Sequence, residues 1–201
     1  MTIHLQTPIK PEDLADLKIG DVFTVSGIII TARDDAHKKA LKMKKAGEKL
    51  PVDFAGNGLF HCGPIMRKTD AGWEVIAAGP TTSTRMEMFQ DDFIREFRPG
   101  VIIGKGGMGD RTAAACKEYG CVYGAFTGGA ALVSAQAIME VLEVHWLDDL
   151  GMPECLWVYR VDKFPLIVGI DASGNNLFAD NMEKVMKNKE KALKILGLGA
   201  E

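Results

Sequence analysis

Segments of two-residue and of helical hydrophobic period alternate along this chain almost to its end, with no internal repeat, low-complexity tract or Pro/Gly/Ser linker between them. That alternation restricts the chain to α/β folds, in which strands share a sheet and helices cover it. Strands are expected at residues 22–32, 59–62, 74–78, 101–103, 121–126, 156–161 and 166–171, each rich in β-branched or aromatic side chains. Helices are expected at 11–17, 34–46, 83–97, 107–119, 129–142 and 181–196. In the 83–97 helix, Met86, Phe89, Phe93 and Phe97 fall on one stripe and read as core. Asp162-Lys163-Phe164-Pro165 separates the last two strands, and Asp171-Ala172-Ser173-Gly174-Asn175 reads as a turn.

Composition narrows the function. With 201 residues, 47% of them hydrophobic and 25% charged, the chain can build one continuous core, so residues 1–201 are expected to form a single domain. Lys+Arg at 24 against Asp+Glu at 27 gives a formal net charge of −3, and no chain-wide positive field exists to hold nucleic acid. The apolar runs at 27–30 and 166–170 fall far short of the ~20 residues that cross a bilayer, and residues 1–8 lack the regions of a signal peptide. No membrane association is expected, and the cytoplasm is the expected compartment. Cys62, Cys116, Cys121 and Cys155 form no CxxC pair and read as reduced, buried small hydrophobes. The lysines at 38–45 and 184–194 read as solvated helix faces.

Three other cations occupy more telling positions. Arg33 follows the first long strand and precedes a helix, Arg85 lies just after Gly79-Pro80-Thr81-Thr82-Ser83, and Lys105 sits between a strand and Gly106-Gly107. A helix N-terminus already carries partial positive charge and unpaired N–H groups, so a cation there is unfavourable unless an anion is expected. Three such corners in the first 107 residues suggest loops converging on a ligand with more than one negative group.

Nucleotides fit this pattern poorly. Gly104-Lys105-Gly106-Gly107-Met108-Gly109 satisfies GxGxxG, but about 20 residues further on the chain reads Thr127-Gly128-Gly129-Ala130, with no carboxylate for a ribose. A P-loop would need Ser or Thr after its lysine, where Gly106 stands. A KH-type RNA clamp is suggested by the GXXG after an apolar strand, but Gly109 and Asp110 interrupt the helix that should follow.

From about Thr7 to Phe178 the ordered landmarks of the chain resemble the β subunits, or equivalent C-terminal domains, of class I fumarate hydratase and L(+)-tartrate dehydratase. They are Gly20-Asp21-Val22, Ser26-Gly27, Thr31-Ala32-Arg33-Asp34-Asp35-Ala36-His37, Cys62-Gly63-Pro64, Gly79-Pro80-Thr81-Thr82-Ser83-Thr84-Arg85-Met86, Gly104-Lys105-Gly106-Gly107-Met108, Gly128-Gly129-Ala130, Leu150-Gly151-Met152-Pro153-Glu154 and Ile170-Asp171-Ala172-Ser173-Gly174-Asn175. The resemblance implies a swivelling β/β/α fold with a mixed sheet and flanking helices. It implies reversible hydration of fumarate to malate, or loss of water from tartrate to oxaloacetate, at a 4Fe-4S cluster held by a partner α subunit in an assembly of two αβ pairs. It assigns Arg33, Arg85 and Lys105 to substrate carboxylates, Thr81 to the catalytic base and His37 to substrate binding, against structural readings of Thr81 as a helix cap and His37 as a core histidine. Fumarate is the preferred substrate and tartrate the runner-up; a non-catalytic binding subunit is the reading from another class. Asp34 and Asp35 are read as caps, His61 as structural.

Overall fold

A computed structural model describes residues 3–198. In chain order the elements are β1 (Ile3–Gln6), β2 (Val22–Thr31), α1 (Asp34–Lys45), β3 (Gly58–Phe60), β4 (Ile65–Thr69), β5 (Gly72–Ala77), α2 (Glu87–Phe97), β6 (Val101–Gly104), α3 (Asp110–Tyr119), β7 (Val122–Ala125), α4 (Ala131–Ala137), β8 (Ile138–His145), α5 (Leu147–Leu150), β9 (Leu156–Ile170) and α6 (Leu177–Ile195). Short 3-10 turns cover Pro11–Leu14 and Ser83–Met86.

Seven strands share one sheet in the order β1-β2-β3-β6-β7-β9-β8, and β4 with β5 makes a separate hairpin. Strands β1, β2, β3, β6 and β7 are parallel neighbours, whereas β9 runs antiparallel to β2, β7 and β8. One edge of β9 pairs with β2 over 158–167. Its other edge pairs with β8 over 156–161 and with β7 over 167–170. Since β9 meets both β2 and β7, the path β2-β3-β6-β7-β9 closes on itself.

Side-chain alternation fills the two faces of this ring separately. Phe23, Val25, Phe60, Val101, Ile103, Trp157, Tyr159 and Phe164 point into one core. Ile30, Leu59, Ile102, Leu156 and Val158 point the other way, onto Ala36, Ala40, Phe89, Phe93 and Cys116 of α1, α2 and α3. This is the mixed sheet with flanking helices that the sequence leads one to expect. The Met86–Phe89–Phe93 stripe is buried, with Phe97 partly so, and all four cysteines are buried. No described helix is long and apolar enough to cross a membrane.

The structure corrects three elements. Residues 162–165 do not separate two strands: β9 runs through them, bulged opposite Ser26, where Lys163 takes a φ of 49° and its N–H donates to Ser26 Oγ. Pro165 is tolerated because, between the ends of the β8 and β7 ladders, that stretch of β9 has a partner on one edge only. The helix expected at 129–142 stops at Ala137, and 138–145 joins β9 as strand β8. The helix expected at 83–97 is broken into a 3-10 turn and α2.

Phe164 stands where the ring closes, its side chain 5.4 Å from Phe60 and 5.2 Å from Phe126 between ring centroids. Phe164→Ala is expected to lower unfolding stability by about 3–5 kcal/mol, read from the urea midpoint; a loss under about 1 kcal/mol would mean that this core does not hold the ring shut.

Candidate active site

The carboxyl ends of β2, β3, β6 and β7 lie side by side because these strands are parallel neighbours. In α/β sheets ligand crevices form outside that edge, where each strand runs into its loop. Arg33 comes two residues after β2, Cys62 two after β3, Lys105 one after β6 and Phe126 one after β7. The segment around Thr81 returns across the same edge. Bridges pair Pro80 with Cys62 and Thr82 with Lys105. The Thr81 N–H donates to the His61 carbonyl at 2.7 Å, and the Ser83 N–H donates to the Lys105 carbonyl at 3.0 Å.

The side chains complete the corner. Arg85 Nη2 donates to Thr81 Oγ1 at 3.1 Å and to Asp34 Oδ2 at 2.7 Å, which places Arg85 and Thr81 against the residue next to Arg33. Lys105 joins this group through its main chain; its side chain runs along Gly128 and lines an open groove of about 600 Å³ with Thr82, Phe126 and Thr127. A larger groove of about 700 Å³ beside Trp146 contains none of the five sequence-predicted site residues.

The helix-start argument holds in full only for Arg33, the N-cap residue of α1. Arg85 lies in the 3-10 turn two residues before α2, and Lys105 five residues before α3. Nor do Asp34 and Asp35 cap α1, since neither supplies a side-chain cap. Glu154 does so from the loop before β9: its Oε2 accepts from the Asp35 N–H at 3.0 Å, and its Oε1 lies 3.1 Å from Arg33 Nε. That approach is near enough for ion pairing but out of hydrogen-bond alignment, so the buried Nε donor has no hydrogen-bond partner. Gly63 makes room for this arginine, because a Cβ there would stand 2.5 Å from Nη1. Lys105 has no carboxylate within ion-pair distance among the described residues.

His37 is not on this surface. It is fully buried, with its ring against Phe93 at 4.5 Å and Phe89 at 5.3 Å, and its Nδ1 donates to the Arg33 carbonyl at 2.8 Å. It braces the Arg33 corner from beneath. His61, also fully buried, bonds Ser83 and Gln90 through its two nitrogens. Of these supporting groups, Glu154, Asp34 and Ser83 lay in the landmark segments without a site role, and Gln90 gave no chemical signal at all in the sequence.

The donor set of this chain does not fit an iron–sulfur cluster. Cluster ligation needs several convergent thiolates, whereas burial pushes the Cys62 thiol up and that of Cys155 up to about 11, and no group of three potential ligands converges among the described residues.

Burial also lowers His37 to about 4 and His61 well below its ordinary value, so both rings are neutral at pH 7. Unfolding returns His37 to about 6.5; between that value and about 4 the unfolded chain binds the extra proton, and stability falls as pH falls. From pH 7 to pH 5 His37 alone should remove about 2 kcal/mol. His37→Phe is expected to shrink the pH 7 to pH 5 difference in urea-derived stability by that amount, and an unchanged difference would refute the neutral, buried ring.

A family model described as Fumarase C-terminus matches residues 1–181. The chain is 43% identical over 187 residues to the L(+)-tartrate dehydratase subunit beta of Escherichia coli strain K12, covering 92% of this chain and 91% of that protein. A Methanocaldococcus jannaschii protein provisionally given the same name is 41% identical, over 94% of this chain and 96% of its own length. A Geobacillus stearothermophilus protein provisionally named fumarate hydratase class I is 44% identical over 94% of this chain, which spans 36% of that longer protein. With nine-tenths of its length matched by the model, the chain belongs to the fumarase C-terminal family.

Proposed function

We propose that this chain is the β-type subunit of a hydro-lyase acting on four-carbon dicarboxylates. The observation that carries the proposal is the corner itself, where Arg85 bonds both Thr81 and Asp34, the residue after Arg33, at the carboxyl edge of parallel strands, with Lys105 on the adjoining loop. A guanidinium offers paired N–H donors to a carboxylate, and a lysine offers a point charge.

The hydroxyl of Thr81 is a weak base when free. Here it accepts an N–H from the Arg85 guanidinium, a contact that favours negative charge on Oγ1. In the direction of water loss, Thr81 Oγ1, after releasing its own proton to solvent, takes the proton from the carbon next to a substrate carboxylate, and the cations stabilise the negative charge that passes into that carboxylate. In the direction of hydration the same oxygen returns the proton. The 4Fe-4S cluster of the proposal belongs to an α subunit, where it supplies Lewis-acid chemistry at the hydroxyl. The assembly is two αβ pairs in the cytoplasm.

Fumarate and malate are the first reading of the substrate, with the cations set toward its two carboxylates and Thr81 toward the transferred proton. The second reading, L(+)-tartrate to oxaloacetate, is supported by the names of the relatives matched over nine-tenths of both chains. Anaerobic reconstitution with the α subunit, followed by malate and tartrate dehydration assays side by side, decides between them; turnover of neither defeats the proposal. This chain by itself is expected to be inactive.

Thr81→Ala in the reconstituted enzyme is expected to lower kcat by about 10²–10⁴-fold with the cluster spectrum and KM little changed. Wild-type turnover in that variant would remove Thr81 from the chemistry. Arg85→Lys keeps the charge but loses the paired donors, and should raise KM as well as lower kcat, because the contact to Thr81 goes with it.

A further inference from the structure

Beneath the corner lies a set of buried polar side chains that the proposed reaction does not use. His37, His61, Ser83, Gln90 and Tyr123 are all fully buried. Tyr123 Oη lies 2.9 Å from the Gly106 carbonyl and 3.1 Å from Ser83 Oγ; Ser83 Oγ lies 2.9 Å from His61 Nδ1; His61 Nε2 lies 2.9 Å from Gln90 Oε1. At the far end His37 Nδ1 lies 2.8 Å from the Arg33 carbonyl.

The chemistry of these atoms fixes where each proton sits. A carbonyl can only accept, so His37 carries its proton on Nδ1 and Nε2 is a bare acceptor. The buried atoms left without a hydrogen-bond partner on the two side chains are one acceptor, that Nε2, and one donor, the Gln90 Nε2, so each offers what the other lacks. With its amide nitrogen toward His37, Gln90 turns its oxygen to His61, which must then donate from Nε2 and accept at Nδ1. Ser83 is the donor to that Nδ1, so its own oxygen faces the Tyr123 hydroxyl, whose single proton is shared between the Gly106 carbonyl at 2.9 Å and Ser83 Oγ at 3.1 Å. Reversing the Gln90 amide would set two acceptors face to face at His37. The space is as specific as the polarity: a Cβ on Gly104 would fall 1.8 Å from Ser83 Oγ and 3.1 Å from His61 Nδ1.

We infer that Tyr123, Ser83, His61, Gln90 and His37 form a one-directional relay that locks the Lys105–Gly106 loop to the Arg33 corner, making Gln90 a positioning residue for the substrate-binding loops. The relay ends on a main-chain carbonyl at each corner, Gly106 and Arg33, and it touches no substrate. Its role in binding rests on the function proposed above, whereas its proton pattern does not.

Two measurements test it. In nitrogen-15 histidine spectra of the full chain at pH 7, both rings should be neutral, with the proton on Nδ1 of His37 and on Nε2 of His61. A His61 protonated at Nδ1, or either ring cationic, overturns the relay. In the enzyme reconstituted with its α subunit, Gln90→Met removes the donor and the acceptor at similar volume. KM for malate or tartrate, whichever the wild type uses, should rise about tenfold, with kcat within about threefold. A variant that loses thermal stability yet keeps its KM assigns Gln90 a structural role alone and overturns the proposal. Should Gln90→Met fail to assemble, Tyr123→Phe cuts the relay at its head and should move KM in the same direction; an unchanged KM there counts equally against it. If the wild-type enzyme turns over neither acid, the proposed function fails and the tautomers alone decide the relay.

Discussion

The divided pairing of β9 governs the rest of the molecule. One strand satisfies β2 along one edge and, along the other, first β8 and then β7. Because the ladder closes through it, the four parallel strands between β2 and β7 curl around a common core instead of fanning out, and their carboxyl ends face one region. Convergence of loops from residues 33, 62, 105 and 126 is therefore a property of backbone hydrogen bonding before it is a property of any side chain. Function-bearing groups need only occupy the first positions after each strand.

Placing positive side chains at that edge has a cost, and the structure offsets it locally. Arg33 stands at the N-terminus of α1, where the helix dipole opposes it. Glu154 answers both problems with one carboxylate, one oxygen on the free N–H of Asp35 and the other beside the guanidinium. Asp34 does the corresponding work for Arg85. Each arginine is thus held in a defined orientation by one carboxylate without surrendering all of its donors. Lys105, with its charge on a flexible stem beside Gly128, has no such brace.

Much of this was legible in the sequence because period and position carry it. Alternating patterns identified most strands and helices, the Phe89–Phe93 stripe identified the helix layer, and of the three cations read as helix starts only Arg33 stands at one. What stayed hidden was decided by distant partners. Residues 138–145, written in Met, Glu, Leu and Val, have good helix formers, and only pairing with β9 makes them a strand. Pro165 looks like a strand breaker until one knows which edge of β9 is unpaired there. Glu154 caps a helix by bonding the N–H of Asp35, 119 residues before it, and no local rule points across such a gap. The placing of His37 shows the same limit: its string of neighbours suggested a ligand, while its depth in the core was set by the packing of α1 on α2.

The buried polar groups raise a question of economy in physical terms. Five polar side chains in a fully buried layer lose their hydration, and a well-packed apolar set of equal volume is generally at least as stable. Neutral rings limit that loss, since burial already keeps His37 and His61 uncharged at pH 7. What an apolar layer could not do is satisfy the Gly106 carbonyl and add a second bond to the Arg33 carbonyl, which already accepts the His37 N–H at 3.0 Å within α1. Nor could it fix the rotation of Ser83, whose N–H holds the Lys105 carbonyl. Apolar contacts tolerate sliding, whereas hydrogen bonds with one allowed donor and one allowed acceptor do not. A layer of this kind therefore trades stability for register between two loops, and register between two loops is what a ligand bound by both of them requires.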